Sequence, residues 1–401
     1  MLNEAAKRLV ARTAEHLGAP PPGYHLFLAP INWLRTEAGV APHPFNHPAQ
    51  TLPLLEGNPQ WSHLSDLREV NLCTQINTAN RPSDPLPRTL VEPFAQWPGI
   101  SRLHLATDAP PRRLEIHTFR DVLFAHRGDR FCILQGTGVD AQSTALPGPA
   151  MVRRWAADQV VPVETMAYCG DCHSPGNPAH SIVDHLTRAL ILRDTVGLAP
   201  EEIYLPRSSA PLTQSMQEAV DPRFPIAQPD TIYSVKELIL CSDTLGGSSH
   251  CHPFHYCDAP LMADMARTAE RMALRGTGHG PRIYLSRGGM ARRRLTNEPE
   301  LEEVLREKGF RSLRMETISG ADQLASIRQA DVIVAPHGGA LTSLFAARHG
   351  THCVELFNPR VGTMAFAMIC ARRALRHTPV FGEAAEGEDW RVDIDDVLAA
   401  I

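Results

Sequence analysis

From about residue 176 onward, the apolar positions of this chain switch between a period near 3.6 and a period near 2. HSIVDHLTRALILRDTVG carries apolar residues at helical spacing and stops at Gly197, while EEIYLP and VKELILCS have the length of short buried strands. A helical stretch, PLMADMARTAERMALRG, and a Gly-rich linker, GTGHGP, lead into a clearer repeat of the pattern. There the predicted order is strand RIYLS, helix PELEEVLREKG, strand SLRMETI, helix ADQLASIRQ, strand DVIVAP, a Gly-rich turn, a helix and strand CVELF. Strands separated by single helices call for right-handed crossovers, so the sheet they build is parallel. The end signals agree. Asn297 precedes Glu298-Pro299 as a helix start, and Gly309 follows as a stop. Ser319 and Asp322 have the spacing of a capping box, with Asp in the usual Glu place.

Earlier in the chain the pattern is broken. Proline, 34 residues in all and dense before about residue 230, interrupts helices in APPPGY, RPSDPLP and DAPPRR. Between these lies RLEIHTFRDVLFAHRGDRFCILQG, which reads as two strands joined at a tight Arg-Gly-Asp turn. The organisation expected is therefore an irregular, partly β region over 1–150, an α/β half over 151–275, and a second, Rossmann-like half over 276–401.

Composition narrows the function without choosing it. At 401 residues the chain exceeds the size at which one core usually stops growing, so two domains are expected. A formal charge of −5 without like-charge blocks argues against nucleic acid as a partner. The N-terminal MLNEAAKRLVARTAEHLG lacks the apolar core of a signal peptide, and no run has the length of a membrane span. Cytoplasmic residence is expected, with peripheral membrane contact still compatible. Nine cysteines, an odd number, read as reduced thiols. Cys169-x-x-Cys172-His173, together with His250, Cys251, His252, His255 and Cys257, leaves a zinc site as an alternative, although the second cluster has no standard ligand spacing.

Ligands of open α/β sheets bind outside the carboxyl ends of the strands, and two loops there carry chemistry. After RIYLS come Ser286, Arg287, Arg292, Arg293, Arg294, Asn297 and Glu298, with two glycines between. Guanidinium forks match phosphate oxygens, so this reads as a diphosphate clamp, with a solvated basic loop as the alternative. After DVIVAP come His337, Gly338, Gly339, Ala340, Leu341, Thr342 and Ser343, where glycines admit close approach of a ligand to the backbone. Neither loop has the G-x-G-x-x-G or Lys-Ser/Thr pattern of ordinary NAD or ATP sites. A third constellation is Asn177, His180 and Asp184: on a helix the last two share a face and suit a general base with its neighbour, while a polar helix start is the alternative.

In this order the motifs resemble glycosyltransferase family 61, whose bacterial members include capsular and surface polysaccharide biosynthesis proteins. The resemblance spans about residues 165–383. It rests on Asn177/His180/Asp184, Ser286-Arg287, Arg293 before Asn297-Glu298, Gly309-Phe310, Glu316, Gln323, Ala330-Asp331, the glycine loop and Glu355-Leu356. The loop departs from the family's H-G-A-G-L-T-N-like run, since Gly339-Ala340 inverts Ala-Gly and Ser343 replaces Asn. The resemblance implies a GT-B-like pair of Rossmann-like halves. It also implies inverting, metal-independent transfer from a nucleotide-sugar, with UDP the expected carrier, to a glycan or lipid-linked glycan acceptor. No cofactor or metal ligand follows from it.

Roles carry over residue by residue. Asp184 is expected to be the base, with its carboxylate facing the cleft and His180 orienting it, and His337 is the second choice. Arg287 and Arg293 would contact the diphosphate, residues His337 to Thr342 the nucleotide or sugar, and Glu355 the ribose or sugar hydroxyls. Asn177 belongs to the acceptor side. A non-catalytic relative that only binds the sugar or nucleotide-sugar, and a zinc-dependent hydrolase, remain the competing classes.

Overall fold

The computed structural model describes residues 72–76, 114–127, 130–135, 138–139, 160–170, 176–229, 231–243, 259–289, 292–360 and 364–401. Its strands are β1 Leu72–Ile76, β2 Leu114–Arg127, β3 Arg130–Gln135, β4 Gly138–Val139, β5 Val160–Tyr168, β6 Ile203–Pro206, β7 Ile226–Ala227 and β8 Ile232–Asp243 in the first sheet. A second sheet holds β9 Arg282–Leu285, β10 Arg311–Leu313, β11 Val332–Pro336, β12 His352–Phe357 and β13 Arg376–Phe381. A small ribbon of β14 Glu383–Ala384 and β15 Trp390–Arg391 follows.

The first sheet runs β4-β3-β2-β8-β5-β6-β7, with β1 on the flank of β2. Its β8, β5, β6 and β7 are parallel, and β2 closes onto β8 antiparallel, from Leu114 opposite Asp243 to Ala125 opposite Ile232. The strands of the proline-rich region thus extend this sheet. The second sheet is wholly parallel in the order β10-β9-β11-β12-β13. Both orders reverse direction once: β5 has β6 on one side and β8 on the other, and β9 has β10 on one side and β11 on the other. At such a switch point the loops leaving adjacent strands diverge and open a crevice. Parallel sheets with helices packed on them make a mixed α/β fold consistent with Rossmann-like architecture.

Buried strands read as unbroken apolar runs because both faces are covered. Successive residues then enter different cores. Ile283 and Leu285 of β9, Ile333 and Ala335 of β11, and Ala167 of β5 share one core with the helices between the sheets. Tyr284 and Val334 point to a core on the far side of the second sheet, closed by Leu301, Leu305 and Trp390, while Met166 and Tyr168 join the far side of the first. The central core is continuous from one sheet to the other, through helix Pro211–Val220, helix Ala259–Ala273 and helix Gly320–Gln329. Gly320 allows one of these contacts: a Cβ there would lie 2.4 Å from Ser215 Oγ and 2.6 Å from the Pro211 carbonyl oxygen.

Several predicted elements are redrawn. The segment SLRMETI is a strand only over Arg311–Leu313; the chain then turns through a 3-10 helix, Met315–Thr317, because β10 is an edge strand paired only to β9. The helix after the glycine turn is a 3-10 helix, Gly339–Ala346, in which Ser343 Oγ donates to the Ala340 carbonyl at 2.6 Å. Helix Ala365–Arg372 and strand β13 were not read from the pattern. Asn297 does not cap its helix. Its amide instead donates to the Val392 carbonyl at 2.8 Å and accepts from the Val392 amide at 3.2 Å, pinning the C-terminal segment. Ser319 caps helix Gly320–Gln329 as read, accepting from the Asp322 amide at 3.1 Å, but Asp322 turns its carboxylate to Ser319 Oγ and the Thr277 amide. The left-handed glycine stops at Gly197 (φ 84°) and Gly309 (φ 82°) are as expected.

Candidate active site

A 560 Å³ pocket opens where the carboxyl ends of the two sheets face each other. The first sheet contributes the Gly176–His180 turn, which follows β5, and Ser209–Leu212, which follow β6. The second contributes Ser286, Arg287 and Arg293 after β9, Met315 and Glu316 after β10, and His337–Ala340 after β11. Met364, Phe366 and Met368 form an apolar end wall.

The turn at 177 is built by local hydrogen bonds. Asn177 Oδ1 accepts from the Ala179 amide at 3.1 Å and its carbonyl accepts from Ser181 at 3.0 Å, so Asn177 does start the helix, with Pro178 beside it. The helix opens with a wide π-type turn over His180–Leu186, and His180 Nδ1 lies 2.8 Å from Asp184 Oδ2. The expected order of this pair is reversed in space. Asp184 is buried behind the ring, with a side chain only 3% exposed against 24% for His180, and His180 is the member that lines the pocket. A carboxylate one turn along a helix that packs into the central core is carried inward, leaving the longer imidazole to reach the pocket.

The four arginines after β9 separate into two pairs. Arg292 is held bidentately by Glu388 at 3.0 to 3.2 Å, and Arg294 by Asp389, all on the exposed surface. These two fit the solvated-loop alternative. Arg287 and Arg293 line the pocket, and among the described residues neither guanidinium has a carboxylate within ion-pairing distance. Arg287 Nη1 donates to the His337 carbonyl at 2.8 Å, while its buried Nε has no hydrogen-bond partner. Burial, and then the neighbouring Arg293 charge, hold the Arg287 pKa below the usual arginine value, with Glu298 pulling the other way. A cation in that position gains most from an incoming anion.

Glu298 organises this loop from beneath. It is buried outside the pocket and accepts from Tyr284 Oη at 2.8 Å and from the Arg287 amide at 2.7 Å, fixing the backbone that presents the guanidinium. Ser286 Oγ accepts from the Gly288 amide at 3.1 Å and holds the same turn. Arg293 has φ 54°, and its carbonyl accepts from Trp390 Nε1 at 3.1 Å, so this strained residue is held by the C-terminal ribbon.

The glycines have steric tasks. A Cβ at Gly338 would lie 2.8 Å from Arg287 Nη1, and one at Gly339 would lie 2.7 Å from Asn177 Oδ1 and 3.1 Å from Pro178 Cδ. Gly338 makes room for the arginine and Gly339 lets the loops of the two sheets touch. Ala340 also faces the pocket, whereas Leu341 and Thr342 are buried behind it.

His337 faces the pocket with its ring between Phe357 and Phe366, both 5.2 Å away by centroid. Its Nδ1 meets Glu355 Oε1 at 2.5 Å, and the other Glu355 oxygen meets His377 Nε2 at 2.8 Å. Glu355 was expected to touch sugar or ribose hydroxyls, but it is fully buried with both oxygens occupied and does not line the pocket. Burial pushes its pKa up, but the two imidazoles outweigh that and hold it below the ordinary carboxylate value. His377 and the Met364–Met368 wall were missed by sequence reasoning; no motif or spacing marks them.

Among the described residues no cluster of three or more His, Cys, Asp or Glu is arranged to hold a metal. Cys169 is buried at the end of β5, its amide donating to the Tyr204 carbonyl at 3.0 Å; Cys172, His173 and residues 250–257 lie outside the described residues. No helix among the described residues is long and apolar enough to cross a membrane.

The mixed α/β fold thus brings two switch points to one pocket, lined by Arg287 and Arg293 and by two imidazoles, His180 and His337, each backed by a buried carboxylate. Residues 179–354 match the family model described as Glycosyltransferase 61, which supports a place in that family and thereby a glycosyltransferase, with a sugar donor and a glycan acceptor in general. The matched segment, just under half of the chain, starts beside His180 and ends inside β12. No curated protein matches the chain.

Proposed function

We propose that this chain is an inverting glycosyltransferase that takes its sugar from a nucleoside-diphosphate donor, with a GT-B-like division of labour between its two sheets. One observation carries the reading: Arg287 and Arg293, without carboxylate partners among the described residues, stand on one wall of the pocket, and His180, backed by the buried Asp184, stands on the other. The donor diphosphate lies against Arg287, Arg293 and the Gly338–Gly339 backbone, where guanidinium forks and close backbone approach suit phosphate oxygens. Charge that builds on the departing diphosphate is stabilised there without a requirement for a divalent cation.

An acceptor hydroxyl oxygen attacks the anomeric carbon from the opposite face. The bond from that carbon to the diphosphate oxygen breaks, its electrons leaving with the nucleoside diphosphate, and the hydroxyl proton passes to His180. Asp184 steadies the imidazolium so formed, the arrangement that makes an imidazole an effective base. A single displacement of this kind inverts the anomeric configuration. UDP is the expected carrier, and a surface glycan or its lipid-linked precursor the expected acceptor.

The test is nucleotide release measured with and without EDTA across UDP- and GDP-linked sugars, which would free a nucleoside diphosphate, with CMP-linked sugars, which could free only the monophosphate, as the contrast. The reading expects release from at least one donor, undiminished by EDTA and lost in His180→Ala while the donor still binds. Binding without release in the wild type, unaltered by His180→Ala, would favour the non-catalytic relative.

A further inference from the structure

Glu355 is a charge that substrate cannot touch. It sits in the middle of β12, in register with Ala335 of β11 and Pro379 of β13, with no exposed surface and with an imidazole on each oxygen. Among the described residues it reaches the pocket through the His337 ring. That ring is fixed by Phe357, stacked at 28°, by Phe366, and by the bond from its own amide to the Leu356 carbonyl at 2.8 Å. With Nδ1 committed to Glu355, Nε2 is the ring nitrogen left for a ligand, beside the carbonyl that anchors Arg287.

We propose that His377 is a positioning residue: by occupying Glu355 Oε2 it holds the buried carboxylate as an oriented anion. This lets His337 take up a second proton and donate from Nε2 to a nucleoside diphosphate. The inference rests on the nucleotide-sugar reading of the pocket. Both Glu355 and His377 lie beyond the matched segment. The proton comes from solvent as the diphosphate binds and returns when it leaves, so His337 adds a third donor to the two arginines. His377 itself is buried, with a side chain 2% exposed, and acts on the pocket through Glu355.

The groups bearing on His337 are Glu355 and His377 from the adjoining strands, Arg287 and Arg293 from the loop after β9, Glu316 on the pocket wall, and His180 across it. Calorimetry with UDP at pH 8, in buffers of different ionisation enthalpy, counts the proton. Wild type is expected to take up a proton on binding, up to about one. His377→Leu is expected to bind UDP about tenfold more weakly with less uptake, the size usual for a lost supporting hydrogen bond. His377→Gln, whose amide replaces the Nε2 donor, restores both.

Repeating the count in His180→Gln assigns the proton: persistence there supports His337, and loss overturns the proposal. No uptake by the wild type, or a folded His377→Leu that matches it, also overturns it. If the leucine variant does not fold, the wild-type count and the glutamine variant decide. Pyrophosphate is the second probe. Uptake with pyrophosphate but no binding of UDP would uphold the relay and sink the nucleotide-sugar reading, and binding of neither would sink both.

Discussion

Two imidazole–carboxylate pairs face one pocket, and they are built differently. His180 and Asp184 lie four residues apart on one helix, and the pair stands near the pocket surface with the imidazole 24% exposed. His337 and Glu355 come from the ends and middle of neighbouring strands; the imidazole is 14% exposed, the carboxylate is completely buried, and a second imidazole sits behind it. A shallow pair beside open space suits proton traffic with an incoming hydroxyl. A deep pair next to an anchored arginine suits a fixed electrostatic task, because low surrounding polarity strengthens it and neighbouring groups lock its geometry.

That contrast can be broken one wall at a time. His180→Ala should lower kcat by about 10³-fold, within the range for a lost general base, and leave UDP affinity unchanged in calorimetry. Arg287→Ala should do the converse, weakening UDP and lowering kcat/KM by about 10²-fold in steady-state assays. Gly338→Ala sharpens the second effect: the added methyl meets only the flexible end of Arg287, so the thermal midpoint should hardly move while donor affinity falls about tenfold.

The pH dependence of stability tests the deep strands separately. Burial first, then Arg376 and His377, hold His352 below the ordinary imidazole pKa, so on acidification the unfolded chain takes up that proton first. Stability should therefore fall below about pH 6.5 in denaturant melts, and His352→Gln should flatten that limb. Glu355, depressed in the fold, stabilises above the ordinary carboxylate pKa and loses that contribution as pH falls through its folded value. The smallest effect belongs to the surface. Arg292→Ala and Arg294→Ala, which break surface ion pairs with Glu388 and Asp389, should barely move the denaturant midpoint and leave transfer nearly unchanged.

What was legible in the sequence follows the range of the interaction. Strands β9, β11 and β12 could be read because they are buried and almost wholly apolar, and the helix ends at 197 and 309 because glycine stops act locally, whereas the more exposed β10 and β13 gave no such run. His180 and Asp184 could be paired because a helix makes neighbours of residues four apart. Their depths could not, since burial depends on which way the helix rolls against the central core. The arginine loop shows the same limit: four like residues look equivalent along the chain, and only Glu388 and Asp389, about 95 residues on, take two of them out of the site. His377 meets Glu355 across adjacent strands at a register that no spacing encodes. Asn297 looked like a cap, but its amide answers Val392 in the C-terminal segment.

The central claim is that the guanidinium of Arg287, which has no carboxylate partner among the described residues, is a nucleoside-diphosphate site. A thermal-shift screen of UDP-, GDP- and CMP-linked sugars on wild type and Arg287→Ala side by side tests it most directly. The account predicts that at least one UDP- or GDP-linked donor raises the wild-type midpoint and leaves the variant's unmoved. Equal stabilisation of both proteins, or stabilisation of neither by any donor, would contradict it.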